Sequence, residues 1–324
     1  MSERPEQEEQ GEQEEHSKTL LLTGAGGRLG GQLGQYLYQR GYRVRALVRN
    51  ANSLPNYFER TLEWSVAKDN PVALRELLER VEGIIHLASS SSKDPTASYD
   101  AQLVMPKLLL DTAPPSVSHF IFTSSIKAVS GEMCTTPISS TTAPLPESDY
   151  GQLKLKAEAL VQDHIVSSRI ASFSLRLPMV YGAGPAGNFN LLRKAARWNL
   201  PLPVAADNKR SVLYSENLFA CIENLLNQPM RPGYQLLHLA DGDGISTRAF
   251  FQLIAETQNR RGLCITLPEQ WAQTLRRVPL VGGIAARLLG SLQFDRSELN
   301  ALPGWQMPFS TADGVKASSS IDCT

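Results

Sequence analysis

The chain has 324 residues, of which 42% are apolar, with 32 basic and 32 acidic side chains; that supplies one large core or two modest ones and excludes a generally disordered or fibrous chain. Seven glutamates crowd residues 1–17 against a single arginine, so this stretch is expected to be a disordered acidic tail, leaving 31 bases against 25 acids elsewhere, an excess that suits an anionic small ligand. Cys134, Cys221, Cys264 and Cys323 are scattered with no CxxC pair, no apolar run reaches the roughly 18–20 residues of a membrane span, and the acidic start does not resemble a signal peptide; a cytoplasmic protein without a zinc site or disulfide framework is expected.

From Lys18 onward, short apolar runs alternate with stretches of helical period, the pattern of parallel strands joined by crossover helices. Strands are predicted at Thr19–Thr23, Arg43–Val48, around Leu62–Val66, Gly83–Leu87, His119–Thr123 and Ser172–Leu177, with helices at Leu29–Gln39, Val72–Leu78, Val104–Thr112 and Tyr150–Ser167. This is an α/β chain whose residues 18–180 are expected to form a Rossmann-type doubly wound parallel sheet. Beyond Pro178 the texture turns rich in Gly and Pro. A helix is predicted at Phe189–Trp198, a polar stretch at Ala205–Arg210, a helix at Asn217–Leu226, a strand at Gln235–Ala240, a helix at Thr247–Thr257 and further helix over Gln270–Leu292. We expect 181–210 and 241–310 to form a smaller substrate-binding lobe, a segment near 211–240 to return to the sheet, and the polar C-terminal tail 311–324 to lack fixed structure.

The segment Thr23-Gly24-Ala25-Gly26-Gly27-Arg28-Leu29-Gly30 follows the first strand and opens the first helix. Gly24, Gly27 and Gly30 permit a tight turn, close approach to a dinucleotide pyrophosphate and helix N-terminal amides aimed at it; the plainer alternative is a glycine-rich turn without a ligand. Arg49 ends the second strand, about 20 residues beyond the glycines, where an acid would bond the free 2′-hydroxyl of NAD. An arginine there, with Arg28 or Asn50 beside it, pairs instead with the 2′-phosphate of NADP, the alternative being a solvated arginine like Arg43 on the same strand. Tyr150 and Lys154, four apart on a predicted helix, share one face, where the ammonium can reach the phenol and a cofactor ribose and draw the phenol pKa toward neutrality. Thr123-Ser124-Ser125 ends the fifth strand at the carboxyl edge of the sheet, where a hydroxyl can hold a reacting oxygen. Ser125 is the first candidate and Ser124 the second, against the alternative of hydroxyls serving local backbone. No GxSxG elbow or P-loop competes, and of the five scattered histidines His86, inside an apolar strand, reads as structural.

Taken together, TGAGGRLG, ALVRN, GIIHLAS, FIFTSSIKAVSGE, YGQLK and RLPMVYGAGPAGNF resemble the extended short-chain dehydrogenase/reductase family, in its NAD-dependent epimerase/dehydratase branch acting on nucleotide sugars, from Leu20 to about Trp305. The SSIK segment followed by GE, and VYGAGPAGNF with LPLPV, is similar to bacterial C4-epimerases and C4-ketoreductases of surface-polysaccharide sugar pathways. The resemblance implies that Gly24, Gly27 and Gly30 hold the pyrophosphate, with Arg28 and Leu29 also among the cofactor-binding residues, that Asp69 meets the adenine, and that Ala88 lines the cofactor path. It implies Ser125, Tyr150 and Lys154 as the catalytic set, Pro178 and Met179 at the nicotinamide, and Asn188 and Arg210 on the substrate diphosphate. Three departures stand out: Gln102 replaces a usual asparagine, Lys68-Asp69-Asn70 replaces Gly-Asp-aliphatic, and an Arg-Pro-Gly-Asp segment is missing around Leu267–Arg277. The implied activity is NADP(H)-dependent hydride transfer at C4 of a UDP- or dTDP-linked sugar, by a 4-ketoreductase or 4-epimerase, in a homodimer with no nucleic-acid or membrane partner. A non-catalytic NADP(H)-binding sensor and a reductase of non-nucleotide carbonyl compounds are the alternatives. A dehydratase is disfavoured because Ile126-Lys127-Ala128 follows the serine where its acid and base are expected.

Overall fold

The computed structural model describes residues 17–51, 54–89, 94–165, 169–182, 188–278 and 281–320. The acidic tail before Ser17, the end of the helix predicted to Ser167, the Ala183–Gly187 part of the glycine-rich loop and the last four residues of the C-terminal tail lie outside these.

The strands are β1 (Thr19–Thr23), β2 (Arg43–Val48), β3 (Arg60–Glu63), β4 (Gly83–His86), β5 (His119–Ser125), β6 (Ala171–Leu177), β7 (Met179–Tyr181), β8 (Leu202–Val204), β9 (Val212–Tyr214), β10 (Gly233–His238) and β11 (Cys264–Thr266). The helices are α1 (Arg28–Gln39), α2 (Trp64–Asp69), α3 (Pro71–Leu78), α4 (Pro95–Tyr99), α5 (Met105–Thr112), α6 (Asp149–Ile165), α7 (Asn188–Arg197), α8 (Ser215–Leu226), α9 (Thr247–Glu256), α10 (Glu269–Arg277), α11 (Gly282–Leu289), α12 (Ser297–Asn300) and α13 (Thr311–Ser320). Seven strands form one wholly parallel sheet in the order β10-β6-β5-β4-β1-β2-β3, as the Rossmann-type expectation requires. The order reverses between β1 and β4, so a crevice opens above their carboxyl ends. On one face Leu33 and Leu37 of α1 pack with Leu218 and Ile222 of α8; on the other, Leu74, Leu109, Ala157 and Val161 come from α3, α5 and α6. Every residue of β1 is buried, as a strand covered on both sides must be.

Three local departures have physical causes. The strand expected around Leu62–Val66 ends at Glu63, because Trp64 and Ala67 are buried at helical spacing whereas Val66 is exposed. Asn70 then caps α3 by accepting from the amides of Val72 and Ala73, with Pro71 in the first turn. Ahead of α5, the chain winds through α4 and a π-helical turn at Asp100–Val104, where the Met105 amide bonds back to the Asp100 carbonyl. Pro106 has no amide to offer, which favours the wider turn.

After Pro178 the chain builds a second core, in which Tyr181, Phe189, Tyr214, Phe250 and Phe251 cluster beside the two-stranded ladders β7-β9 and β8-β11. The region predicted helical over Gln270–Leu292 splits into α10 and α11. The tail expected to lack structure is instead helical through Ser320: α13 inserts Val315 into this second core, and Gly314 passes so close to Tyr181 that a Cβ would lie 2.6 Å from its hydroxyl. Sparse apolar content hid this helix, because only one large apolar side chain is needed where the partner surface is aromatic. The Asp241 carboxylate ties the crossings between the two cores. It accepts from the Tyr181 hydroxyl at 2.7 Å, the Tyr214 amide at 2.8 Å and the Asn217 side chain at 2.8 Å, while Asn217 also bonds both the carbonyl and the amide of Phe309.

Val315→Ala should lower stability by roughly 1–3 kcal/mol, read as a shifted urea midpoint at unchanged slope. An unstructured tail would leave the midpoint where it was.

Candidate active site

A cleft of about 950 Å³ opens at the crevice above β1 and β4, lined by Gly24, Gly27, Arg28, Leu29, Gly30, Arg49, Ala88, Ser125, Tyr150, Lys154 and Pro178 among others. The structure thus gathers the predicted glycine turn and the predicted reacting residues into one cavity. Gly24 turns the chain out of β1 at a φ of 75°, and a Cβ there would meet the Ala88 amide nitrogen at 2.8 Å. Gly30 sits against the Gly24 carbonyl oxygen, where a Cβ would come to 2.1 Å. No side chain caps the start of α1, so its first-turn amides are left for a ligand at the cleft. A glycine-rich backbone cradle open to the cleft fits a dinucleotide.

Behind the cradle runs a buried relay. Thr23 Oγ1 accepts from the Ala88 amide at 3.1 Å and lies 3.0 Å from His86 Nδ1, while His86 Nε2 lies 2.9 Å from the Ala101 carbonyl in the π-helical turn. A carbonyl only accepts, so Nε2 carries the proton and Nδ1 accepts from the threonine. Burial, with Lys154 nearby, drives the His86 pKa down to about 3, and the ring is neutral and structural.

Tyr150 and Lys154 project from the first two turns of α6 toward the end of β5. Ser125 and Ser89 hydrogen-bond the Tyr150 phenol, and the ring lies 5.9 Å from the Lys154 ammonium. Ser125 is also the cap of a 3-10 turn over Ile126–Ala128, accepting from the Lys127 amide. Lys154 is 1% exposed and donates to the Thr123 carbonyl at 2.7 Å, above the Phe122 ring. Burial lowers its pKa to about 7, against the pull of Glu158. Burial raises the phenol pKa, opposite to the shift expected from the sequence, and the Ser89 and Ser125 hydroxyls oppose that rise. Ser124, the second candidate, also lines the cleft and donates to the Glu158 carboxylate.

Arg49 and Asn50 close β2 exposed on the cleft wall, and burial lowers the pKa of Arg28 on the same wall. Asp69 lies exposed at the end of α2 on a hollow of about 390 Å³ shared with Arg49, Trp64, Ser65, Lys68 and Asp100, of which Arg49, Trp64 and Asp100 also line the main cleft. Trp64, which the sequence reading missed, follows β3 directly into the main cleft; its signal was a large aromatic just after a strand. Ser89, Asp94 and Asp100 also line the cleft without having been foreseen.

Asn188 and Arg210 are not brought to the described cleft wall. Asn188 is the exposed first residue of α7. Arg210 is largely buried, its Nη1 donating to the carbonyls of Glu132, Ala286 and Gly290, and burial lowers its pKa to about 10. The Glu132 carboxylate binds Lys127 at 2.7 Å and Arg287 at 3.0 Å. Gln102 is fully buried in the π-helical turn, donating to Ser98, with its side-chain oxygen unpartnered. Among the described residues no cluster of three or more His, Cys, Asp or Glu is arranged to hold a metal, and no helix is long and apolar enough to cross a membrane.

The model of the NAD dependent epimerase/dehydratase family matches residues 20–235. A UDP-glucose 4-epimerase of Vibrio cholerae is 26% identical over 315 residues, covering 93% of this chain and 94% of that protein. Among solved structures, UDP-N-acetylglucosamine 4-epimerase from Bacillus cereus superposes with a TM-score of 0.74 at 19% identity, covering 94% of this chain and 99% of that one. MoeE5 in complex with UDP-glucuronic acid and NAD gives a TM-score of 0.73 at 19% identity, with the same shares of each chain covered. At that identity the structural likeness establishes the fold.

Gly30→Ala should weaken NAD(P)(H) binding roughly tenfold or more, because the turn cannot admit a Cβ. Gly26→Ala, where nothing lies within 4 Å, should leave binding nearly unchanged; fluorescence titration of both variants checks the pair.

Proposed function

The chain belongs to the NAD-dependent epimerase/dehydratase family, and from that premise we propose that it transfers a hydride at C4 of a nucleotide-linked sugar, as a 4-epimerase or an NADPH-dependent 4-ketoreductase in surface-polysaccharide sugar synthesis. The observation that carries the reading is Tyr150, hydrogen-bonded by Ser125 and backed by the buried Lys154, in the same cleft as the glycine cradle. The near full-length likeness to a UDP-glucose 4-epimerase supports position 4 of the sugar.

In this reading Gly24, Gly27 and Gly30, with Arg28 and Leu29, hold the pyrophosphate, and Ala88 and Pro178 flank the path to the nicotinamide. The dinucleotide, when bound, supplies or accepts the hydride. Tyr150 gives a proton to, or takes one from, the sugar C4 oxygen, and Ser125 donates a hydrogen bond to that oxygen so that charge developing there is held in place. Lys154 fixes the cofactor ribose and keeps positive charge near the phenol. Ile126 and Lys127, following Ser125, supply no carboxylic acid, which disfavours dehydration. Arg49 favours NADP(H) through its fit to a 2′-phosphate. Half-buried Leu153, Leu155 and Leu160 on α6 suit a homodimer through that helix.

One observation favours a second reading. The Arg210 guanidinium already serves three backbone carbonyls, which leaves it less free for a substrate diphosphate and favours a carbonyl substrate without a nucleotide. Calorimetric titration with UDP and dTDP decides: binding that Arg210→Ala abolishes supports the nucleotide sugar, and no binding supports the alternative.

Tyr150→Phe should lose turnover by about 10²–10⁴-fold with dinucleotide binding retained, measured with NADPH or NAD on a panel of nucleotide hexoses and 4-keto sugars. Silence of that substitution, or binding without turnover in the wild type, would return the protein to a sensor role. Arg49→Ala should lower kcat/KM for NADPH about tenfold or more and leave NADH nearly unchanged.

A further inference from the structure

On α6, Tyr150, Lys154 and Glu158 follow one another at intervals of four and share a face. The third member has no role in the chemistry described so far, yet its carboxylate is 4% exposed and fully engaged. Arg176 of β6 grips it with two parallel bonds, Nε to Oε1 at 2.9 Å and Nη2 to Oε2 at 2.7 Å, and Ser124 of β5 donates to Oε1. Ser124 and Arg176 are register partners on adjacent strands, so a rigid sheet holds the carboxylate from both sides. A buried ion pair is weak evidence for stability, since an apolar pair of similar size packs as well. A charge retained at this depth, one helical turn from the catalytic ammonium, points to that ammonium.

We propose that Glu158 is a positioning residue of the reaction: clamped by Arg176 and Ser124 one helical turn away, its carboxylate keeps Lys154 charged beside Tyr150. The inference rests on the reading of the site as a dinucleotide-dependent oxidoreductase and extends it by one residue.

The other groups around Lys154 do not do this work. Lys154 donates to the Thr123 carbonyl, which carries no formal charge. His86 on β4 is neutral, and Tyr150 on the same helix is a phenol whose pKa burial raises further. Asp100 on the π-helical turn is paired with Lys68, and Lys127 beyond Ser125 is paired with Glu132. Tyr234 on β10, behind Glu158, is pushed up to about 12 by burial and stays neutral. Arg176 lies on the far side of the carboxylate and would repel the ammonium if the carboxylate were lost. Burial depresses Lys154, and Glu158 opposes that depression.

The sign follows. Lys154 binds a ribose as the ammonium, so dinucleotide affinity is full below its pKa and declines as pH rises through it. Removing Glu158's charge moves that decline to lower pH. The test is the dissociation constant of NADPH and of NAD, by fluorescence titration from mildly acidic to alkaline pH, beside kcat and KM on a nucleotide hexose that the wild type turns over. In Glu158→Gln the alkaline limb of binding and of kcat should move down by about one pH unit, with KM for the sugar little changed. Arg176→Gln breaks the same ion pair but keeps the carboxylate, and its limb should not move down. An unmoved limb in Glu158→Gln, or equal downward shifts in both variants, would overturn the proposal in favour of a purely structural pair. Should Glu158→Gln not fold, the double variant Glu158→Gln/Arg176→Met, which leaves no unpaired buried charge, decides: its limb should still move down, and no shift counts against the idea. A wild-type protein that binds neither dinucleotide sinks the functional reading and this inference together, whereas binding with a normal limb in Glu158→Gln sinks this inference alone.

Discussion

Three consecutive residues at the end of β5 each hold a different side chain of α6: the Thr123 carbonyl takes Lys154, the Ser124 hydroxyl takes Glu158, and the Ser125 hydroxyl takes Tyr150. A pleated strand cannot aim three successive side chains at one helix, because neighbours point to opposite faces. The chain solves this by using a backbone oxygen for the first contact and by leaving the strand at the third, where Ser125 caps a 3-10 turn. The helix must also come close. Gly151 permits it, since a Cβ there would stand 2.1 Å from the Lys127 carbonyl oxygen. Helix register, strand end and the placing of the reacting groups are therefore one constraint.

That constraint also explains the electrostatics of the site. Drawing α6 onto the sheet removes water from Lys154 and partly from Tyr150, so both groups shift toward their neutral forms. Hydroxyls and a carboxylate that accept or balance charge then offset part of that cost. Removing one partner of a buried, hydrogen-bonded ion pair such as Glu158–Arg176 typically costs about 3–5 kcal/mol, so the same contacts that tune the site also pin the helix.

The parts of this arrangement that were legible in the sequence are the local ones. β1 and β2 ended where continuous apolar runs end, and Tyr150 with Lys154 could be paired because helical spacing alone puts them on one face. Ser125 was legible because a strand end has a direction in a parallel sheet. What escaped the sequence depends on partners distant along the chain. Glu158 is visible on the same face as Lys154, but its meaning comes from Arg176 on another strand. Arg210 carries the right chemistry for a diphosphate, but that its Nη1 meets the carbonyls of Ala286 and Gly290 depends on chain about 80 residues away. The helix over Trp64–Asp69 went unseen because Trp64 and Ala67 follow β3 with no turn signal between them. α13 went unseen because its single buried valine meets an aromatic surface built from distant segments.

The second core joins the sheet through several passages of chain, after β6, into α8, after β10 and at Phe309, and all of them meet at the Asp241–Asn217 pair. One buried carboxylate thus serves as common acceptor for donors from β7, from the end of β9 and from α8, so the passages are interdependent: a change that withdraws Asp241 leaves three buried donors without their partner at once.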